Sequence, residues 1–83
     1  MPYIKQIDRE EMDEIVQLMD RNDVCVDGDL NYILYAFCKR HIVPSYNNYK
    51  NFCGELRQCA TEIERRLLAP YEDGKIIENG DVK

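Results

Sequence analysis

The chain has 83 residues, of which 45% are hydrophobic and 33% charged, and this composition is typical of a globular protein of one small domain over 1–83. Sixteen acidic against eleven basic residues give a net charge of -5, which argues against a general nucleic-acid binder or an anionic-membrane binder. No apolar run approaches the roughly 18 residues of a membrane-spanning helix. The first residues contain no apolar signal-peptide segment, so we expect a cytoplasmic protein.

The first predicted helix covers about residues 8–21. Asp8 is a good N-cap, and Glu11 three residues later completes a capping box by reaching back to the Asp8 amide. The helix has an apolar face at i, i+3, i+4, i+7 spacing, formed by Met12, Ile15, Val16 and Met19.

The second predicted helix covers about residues 29–41, with Asp27 or Asp29 as its cap. Its apolar residues recur every three or four positions. The helix is expected to end before Pro44, because the residue before a proline is pushed out of the helical region.

The third predicted helix, about residues 46–68, is the longest, and Ser45 can cap it. Pro70 is expected to end or kink it. Its apolar positions keep a 3–4 spacing and comprise Tyr49, Phe52, Cys53, Leu56, Cys59, Ala60, Ile63 and Leu67.

These elements predict an all-α fold, a small three-helix up-down-up bundle with one long C-terminal helix. The tail over 70–83 is expected to be irregular, because it contains the turn pairs Asp73-Gly74 and Asn79-Gly80. The predicted core consists of apolar residues from all three helices: Met12, Ile15, Val16, Met19, Leu30, Ile33, Leu34, Phe37, Leu56, Ala60 and Ile63.

Four cysteines raise the question of a metal site or a disulfide, but they contain no C-x-x-C pair. Cys38 and His41 share a helix and could chelate a metal together with Cys53 or Cys59, although structural zinc sites normally use close ligand pairs. Free cysteine on an apolar face behaves as a small hydrophobe, and a cytosolic protein rarely forms disulfides. We therefore expect reduced thiols, no metal ligand and no cofactor.

Catalytic patterns are weak throughout the sequence. Glu10, Glu11 and Glu14 resemble the first Mg²⁺-binding motif, E-E-x-x-E, of all-α nucleotide pyrophosphohydrolases, but the required second acidic pair on a facing helix is missing. Acidic residues are also common at helix N-termini for electrostatic reasons. With a single histidine and no glycine-rich phosphate loop, we expect no catalytic and no cofactor-binding residues, and no enzyme.

Tyr32 and Tyr35 lie off the main apolar face of the second helix, where aromatic residues either anchor a protein interface or cover the margin of the core of a small domain. The third helix is longer than the other two, so part of its apolar stripe extends beyond them. Either the tail or a second copy of the chain must cover that part. Aromatic and apolar residues are typical of homodimer interfaces. The candidate interface residues are Tyr32, Tyr35, Tyr49, Phe52, Leu67 and Tyr71.

The two ends of the chain and one internal segment are the most distinctive parts: M-P-Y-I-K-Q at 1–6, G-D-L-N-Y-I at 28–33 and A-P-Y-E-D-G-K-I-I-E-N-G-D-V at 69–82. Together they resemble a family of short bacterial and phage proteins of unknown function, over nearly the whole chain. The resemblance implies an uncharacterised domain whose pattern does not include the cysteines, and it transfers no catalytic residue. Phage association adds weight to an accessory or inhibitor role.

Three functions remain after these considerations. The favoured one is a small non-enzymatic protein-interaction domain that forms a homodimer, possesses no nucleic-acid or membrane partner, and can bind another protein. One alternative is an acidic phage-type inhibitor of a nucleic-acid-handling protein, suggested by nine acidic and three basic residues in 1–30. The other alternative is a Mg²⁺-dependent nucleotide hydrolase that uses Glu10, Glu11 and Glu14.

Overall fold

A computed structural model describes the chain over residues 4–82, so Tyr3 of the opening motif and Lys83 of the tail lie outside the described residues. The structure divides into two units, residues 1–43 and 44–83, which are taken in turn below. Between residues 4 and 82 the elements are helical and no strand occurs. The all-α class is therefore confirmed, while the single domain over 1–83 and the up-down-up packing stay predictions.

The first unit begins with a 3-10 turn, Gln6–Asp8, that leads directly into helix α1, Arg9–Arg21. The predicted capping box at Asp8 is wrong, because the Asp8 side chain makes no capping hydrogen bond. The Asp8 amide donates to the Lys5 carbonyl at 2.9 Å, and Asp8 already has helical backbone angles. An N-cap needs an extended backbone to turn its side chain onto the first amides, so the 3-10 turn prevents capping.

Helix α2 covers Gly28–His41 and follows a short connection. Neither aspartate caps it as predicted: Asp27 makes no side-chain capping bond, and Asp29 Oδ2 instead accepts from the Cys25 amide at 3.1 Å. Backbone carbonyls of the connection replace the side-chain cap, since the Leu30 amide donates to the Cys25 carbonyl at 3.1 Å. The helix ends at His41, and the backbone after it is extended, as the downstream proline predicts.

The second unit is one uninterrupted helical stretch. Helix α3, Tyr46–Ile63, continues into a π-helical turn, Glu64–Leu68, and then into helix α4, Ala69–Asn79. Ser45 caps α3 as predicted: its backbone is extended, and its Oγ accepts from the Asn48 amide at 3.0 Å. The whole stretch, Tyr46–Asn79, is called the long helix below, and at 1.5 Å per residue it measures about 50 Å.

The predicted irregular tail over 70–83 is wrong, because its first part forms α4. Pro70 does not end the helix, although it lacks an amide to donate within the continuous stretch. The π-turn before it makes this possible: the Ala69 amide donates to the Glu64 carbonyl, five residues earlier, and the wider turn changes the carbonyl positions that the proline ring faces. The helix ends instead at Gly80, which has a φ of 85° and whose amide donates to the Ile76 carbonyl at 2.8 Å.

The predicted core does not form within either unit, because no residue described there is buried. A core shared by the two units stays a prediction, like the up-down-up packing. In the first unit, α1 and α2 do not pack along their lengths. The second unit is a single helix, which has no other element of its own against which to bury a side chain. Predicted core residues of both units therefore stay partly in contact with water, among them Ile15 and Ile63, which are 53% and 50% exposed.

Candidate interaction surface

The most extensive apolar surface lies along the long helix. Its residues recur every three or four positions, which places them on one face. We call this face the apolar stripe and define it by Tyr49, Phe52, Leu56, Ile63, Leu67 and Tyr71. Exposure is greatest at the C-terminal end of the stripe, where the side chains of Leu67 and Tyr71 are 66% and 62% exposed.

Two lysines flank the stripe at its ends and contact tyrosine rings one helical turn away. Lys50 Nζ lies 5.7 Å from the centre of the Tyr46 ring, and Lys75 Nζ lies 5.6 Å from the centre of the Tyr71 ring. These distances are within the range of cation–π attraction, which is modest at exposed sites. The contacts hold the tyrosine rings against the helix surface and leave their other faces open.

The structure thus brings four of the six predicted interface residues onto one helix. Tyr49 and Phe52 lie on α3, Leu67 lies in the π-turn, and Tyr71 lies on α4 rather than in a tail. Tyr71 continues the stripe only because the helix passes through Pro70. The stripe also contains Leu56 and Ile63, which the sequence analysis assigned to the core and which are 38% and 50% exposed.

The remaining two predicted interface residues, Tyr32 and Tyr35, lie one turn apart on α2 in the first unit. They are 66% and 71% exposed. On the same helix, the Phe37 ring packs at 5.2 Å against the ring of His41, so that histidine has an aromatic neighbour rather than a cysteine partner. The first unit therefore presents a second aromatic surface, separate in sequence from the apolar stripe.

The glutamates of the E-E-x-x-E pattern are not brought together into one converging group. Glu10 and Glu14 line a shallow, open depression along α1 together with Asp13, whereas Glu11 does not line it. Among residues 4–82, these side chains do not belong to any group of three whose ligand atoms lie within 4.8 Å of one another. Two carboxylates on one exposed helix can attract a cation, but the facing acidic pair that would hold Mg²⁺ against a phosphate is not assembled there.

One group of ligand atoms does converge, at the start of α2, and the sequence analysis missed it. Cys25, Asp27 and Asp29 bring their sulfur and carboxylate oxygens within 4.8 Å of one another. All three are exposed, and the hydrogen bond from the Cys25 amide to Asp29 accounts for part of the arrangement. The spacing C-x-D-x-D indicates this cluster in the sequence, but it contains only one cysteine, so a rule based on close cysteine pairs does not detect it. The cluster fits a local turn, and we assign no metal to it.

The four cysteines are free thiols, but their surroundings differ from the prediction. Cys25, Cys53 and Cys59 are exposed, and only Cys38 is partly covered. Three of the four thiols are therefore not buried as small hydrophobic side chains.

No helix within residues 4–82 combines the length and the apolar character needed to cross a bilayer. The fold and the surface together define a small all-α protein with exposed apolar helix faces. The chain belongs to the family described as "Domain of unknown function (DUF6899)", whose family model matches residues 1–82. The expected membership in an uncharacterised family is thereby confirmed. No curated protein and no solved structure matches the chain.

Proposed function

We propose that this protein is a small non-enzymatic interaction domain that self-associates, most simply as a homodimer. The observation that carries the proposal is the long helix, which forms the second unit by itself and keeps a continuous apolar stripe in contact with water. An isolated helix is marginally stable in water, and most helices in proteins depend on packing of their apolar face. The stripe therefore requires a covering surface.

The energetic gain from covering the stripe is substantial. Complete burial of one large apolar side chain contributes about 1.5–3 kcal/mol. Leu67, Tyr71 and Ile63 retain half or more of their surface in water, so each gives up about half of that contribution in the single chain. Recovered along the stripe and its counterpart on a second chain, this gain is of the same order as the entropic cost of association.

The test is the molar mass of the full chain and of two matched variants, measured by light scattering and sedimentation from about 1 to 100 μM. We expect the wild type to have the mass of two chains at tens of micromolar. Leu67→Glu places a charge on the apolar stripe and should give the mass of one chain. Ile77→Glu makes the same kind of change at a residue that is 86% exposed on the same helix, and it should leave the dimer intact.

Circular dichroism on all three proteins shows whether helix content is retained, so that unfolding is not mistaken for dissociation. A wild-type mass of one chain over the whole concentration range contradicts the proposal. Equal loss of association in both variants also contradicts it, because the stripe would then have no special role.

A second function is favoured by the acidic surface of α1. Glu10, Glu11, Asp13 and Glu14 are all exposed, and none of them forms an ion pair with another residue in 4–82. An exposed carboxylate cluster attracts basic surfaces, such as those of nucleic-acid-handling proteins, and this supports the inhibitor role. Retention of a basic partner that is lost at high salt, and lost when these four residues become the corresponding amides, would support this function over simple self-association.

A further inference from the structure

We infer that the apolar stripe of the long helix is covered by the same helix of a second copy, and that the two helices run antiparallel. This inference rests on the self-association proposed above and specifies its partner surface and direction. It is carried by two properties of the described elements, the length of the stripe and the distribution of charge along it.

Length is the first argument. The long helix measures about 50 Å, whereas α1 and α2 have 13 and 14 residues and measure about 20 Å each. Neither short helix can cover the stripe from Tyr49 to Tyr71, which alone extends over about 33 Å. Among the described elements, only another copy of the long helix has the matching length.

Charge gives the direction. The first part of the long helix, residues 46–57, has two basic residues and one acidic residue, which gives +1. The last part, residues 69–79, has three acidic residues and one basic residue, which gives -2. A parallel pair would place like charges together at both ends, whereas an antiparallel pair places the basic part of each helix beside the acidic part of the other. Antiparallel helix dipoles favour the same direction.

The middle of the long helix fits a two-fold axis. In an antiparallel pair with full overlap, the axis passes near residues 62 and 63, so Ile63 of one copy packs close to Ile63 of the other. Arg65 there is held by Glu62 of its own helix, with N–O distances of 2.9 and 3.0 Å. This ion pair keeps the charges of the central turn within each helix, so the apolar residue can occupy the axis.

Spin-label distances in the full chain test the direction. The native cysteines are first replaced, and a unique cysteine is then placed either near the start of the long helix, as Asn47→Cys, or near its middle, as Thr61→Cys. Both positions are exposed and lie off the apolar stripe. The replacements are Cys25→Ser, Cys38→Ala, Cys53→Ala and Cys59→Ala, and each protein must keep the wild-type mass before labelling.

In an antiparallel dimer we expect a distance of about 45 Å between the two labels at position 47, from 1.5 Å per residue. The two labels at position 61 should lie about 10–20 Å apart, since paired helix axes are 8–10 Å apart. Short distances at both positions would show a parallel pair and overturn the inference. Any other combination in a protein with the mass of two chains would place the dimer contact elsewhere, which overturns the inference but leaves self-association standing. A one-chain mass overturns both.

Discussion

Two residues with the same expected role behave differently in the structure. Ser45 and Asp8 are both suited to capping a helix N-terminus, but only Ser45 does so, by accepting the Asn48 amide proton at 3.0 Å. Ser45 follows Pro44 and has the extended backbone that a cap requires. Asp8 closes a 3-10 turn with helical backbone angles, and its side chain makes no hydrogen bond to the free amides of α1.

This difference predicts unequal effects of two alanine substitutions. Ser45→Ala should lower the free energy of unfolding by about 1 kcal/mol, because the hydrogen bond to the Asn48 amide is lost. Asp8→Ala should change it by less than about 0.5 kcal/mol, as expected for a surface substitution away from a cap. Urea unfolding followed by circular dichroism, at one fixed protein concentration, measures both. Ser45→Asp serves as the control that keeps the cap; equal losses in both alanine variants would contradict the capping assignment.

The cap at Ser45 could be predicted from sequence because the signal is contained in adjacent residues. The failure at Asp8 depends on a backbone hydrogen bond to Lys5, which no side-chain pattern reveals. The convergence of Cys25 with two aspartates was missed for a related reason, since it depends on the backbone of the turn, where the Cys25 amide donates to Asp29.

At the scale of elements, the main difference between expectation and structure is α4. Pro70 and two glycine-containing turn pairs predicted an irregular tail. Each of these signals concerns one residue or two adjacent residues and takes no account of the turn before them. The π-turn at Glu64–Leu68 changes the hydrogen-bond pattern just before Pro70, so the helix continues through the proline. By contrast, most ends of the three predicted helices lie within a few residues of those observed, because the apolar spacing marks the helical segments.

Glycine substitutions distinguish a helical from an irregular segment. Gly74 lies within α4 with open space where a Cβ would be, so Gly74→Ala should raise the free energy of unfolding by about 1 kcal/mol and increase helix content. Gly80, at a φ of 85°, is the matched position outside the helix, and Gly80→Ala should fray the last turn. Far-ultraviolet circular dichroism with thermal unfolding measures both effects. No gain from Gly74→Ala, or the same gain from both, would mean that the segment is not helical as described.

At the scale of the whole molecule, the sequence predicted the helices and the apolar faces but not what the faces contact. Apolar spacing identifies a face, yet the same pattern serves an internal core and an interface between chains. Ile63 and Leu56 were assigned to the core on that pattern, and the structure leaves them 50% and 38% exposed. Four of six candidate interface residues nevertheless fall on the apolar stripe, because the excess length of the third helix was visible in the sequence.

The charge pattern of the antiparallel pair predicts a rescue. Lys50→Glu with Arg57→Glu makes the first part of the long helix acidic and should weaken dimerisation about tenfold at low salt, since exposed charge pairs contribute roughly 0.2–1 kcal/mol each. Adding Glu72→Lys and Asp73→Lys should restore the dimer. Sedimentation equilibrium measures the dissociation constants, and 1 M salt should reduce the differences by screening.

A parallel pair would show no such rescue, because the exchanged residues at the two ends of the helix would not lie beside each other. The second pair of substitutions alone provides the control for a general effect of added lysine. The two lysine substitutions can strengthen the dimer of the otherwise wild-type chain as much as they strengthen the dimer of the variant with two added glutamates. That result would contradict charge complementarity along the helix.

The spacing of the apolar stripe also determines how two long helices would wind around each other. Tyr49, Leu56 and Ile63 are separated by seven residues each, and all three precede the π-turn at Glu64–Leu68. A seven-residue period corresponds to 3.5 residues per turn, slightly fewer than the 3.6 of an α-helix, so keeping this part of the stripe against a partner requires a gentle left-handed supercoil. The π-turn has more residues per turn and interrupts the period. The winding of the pair would therefore change at its middle, close to the two-fold axis.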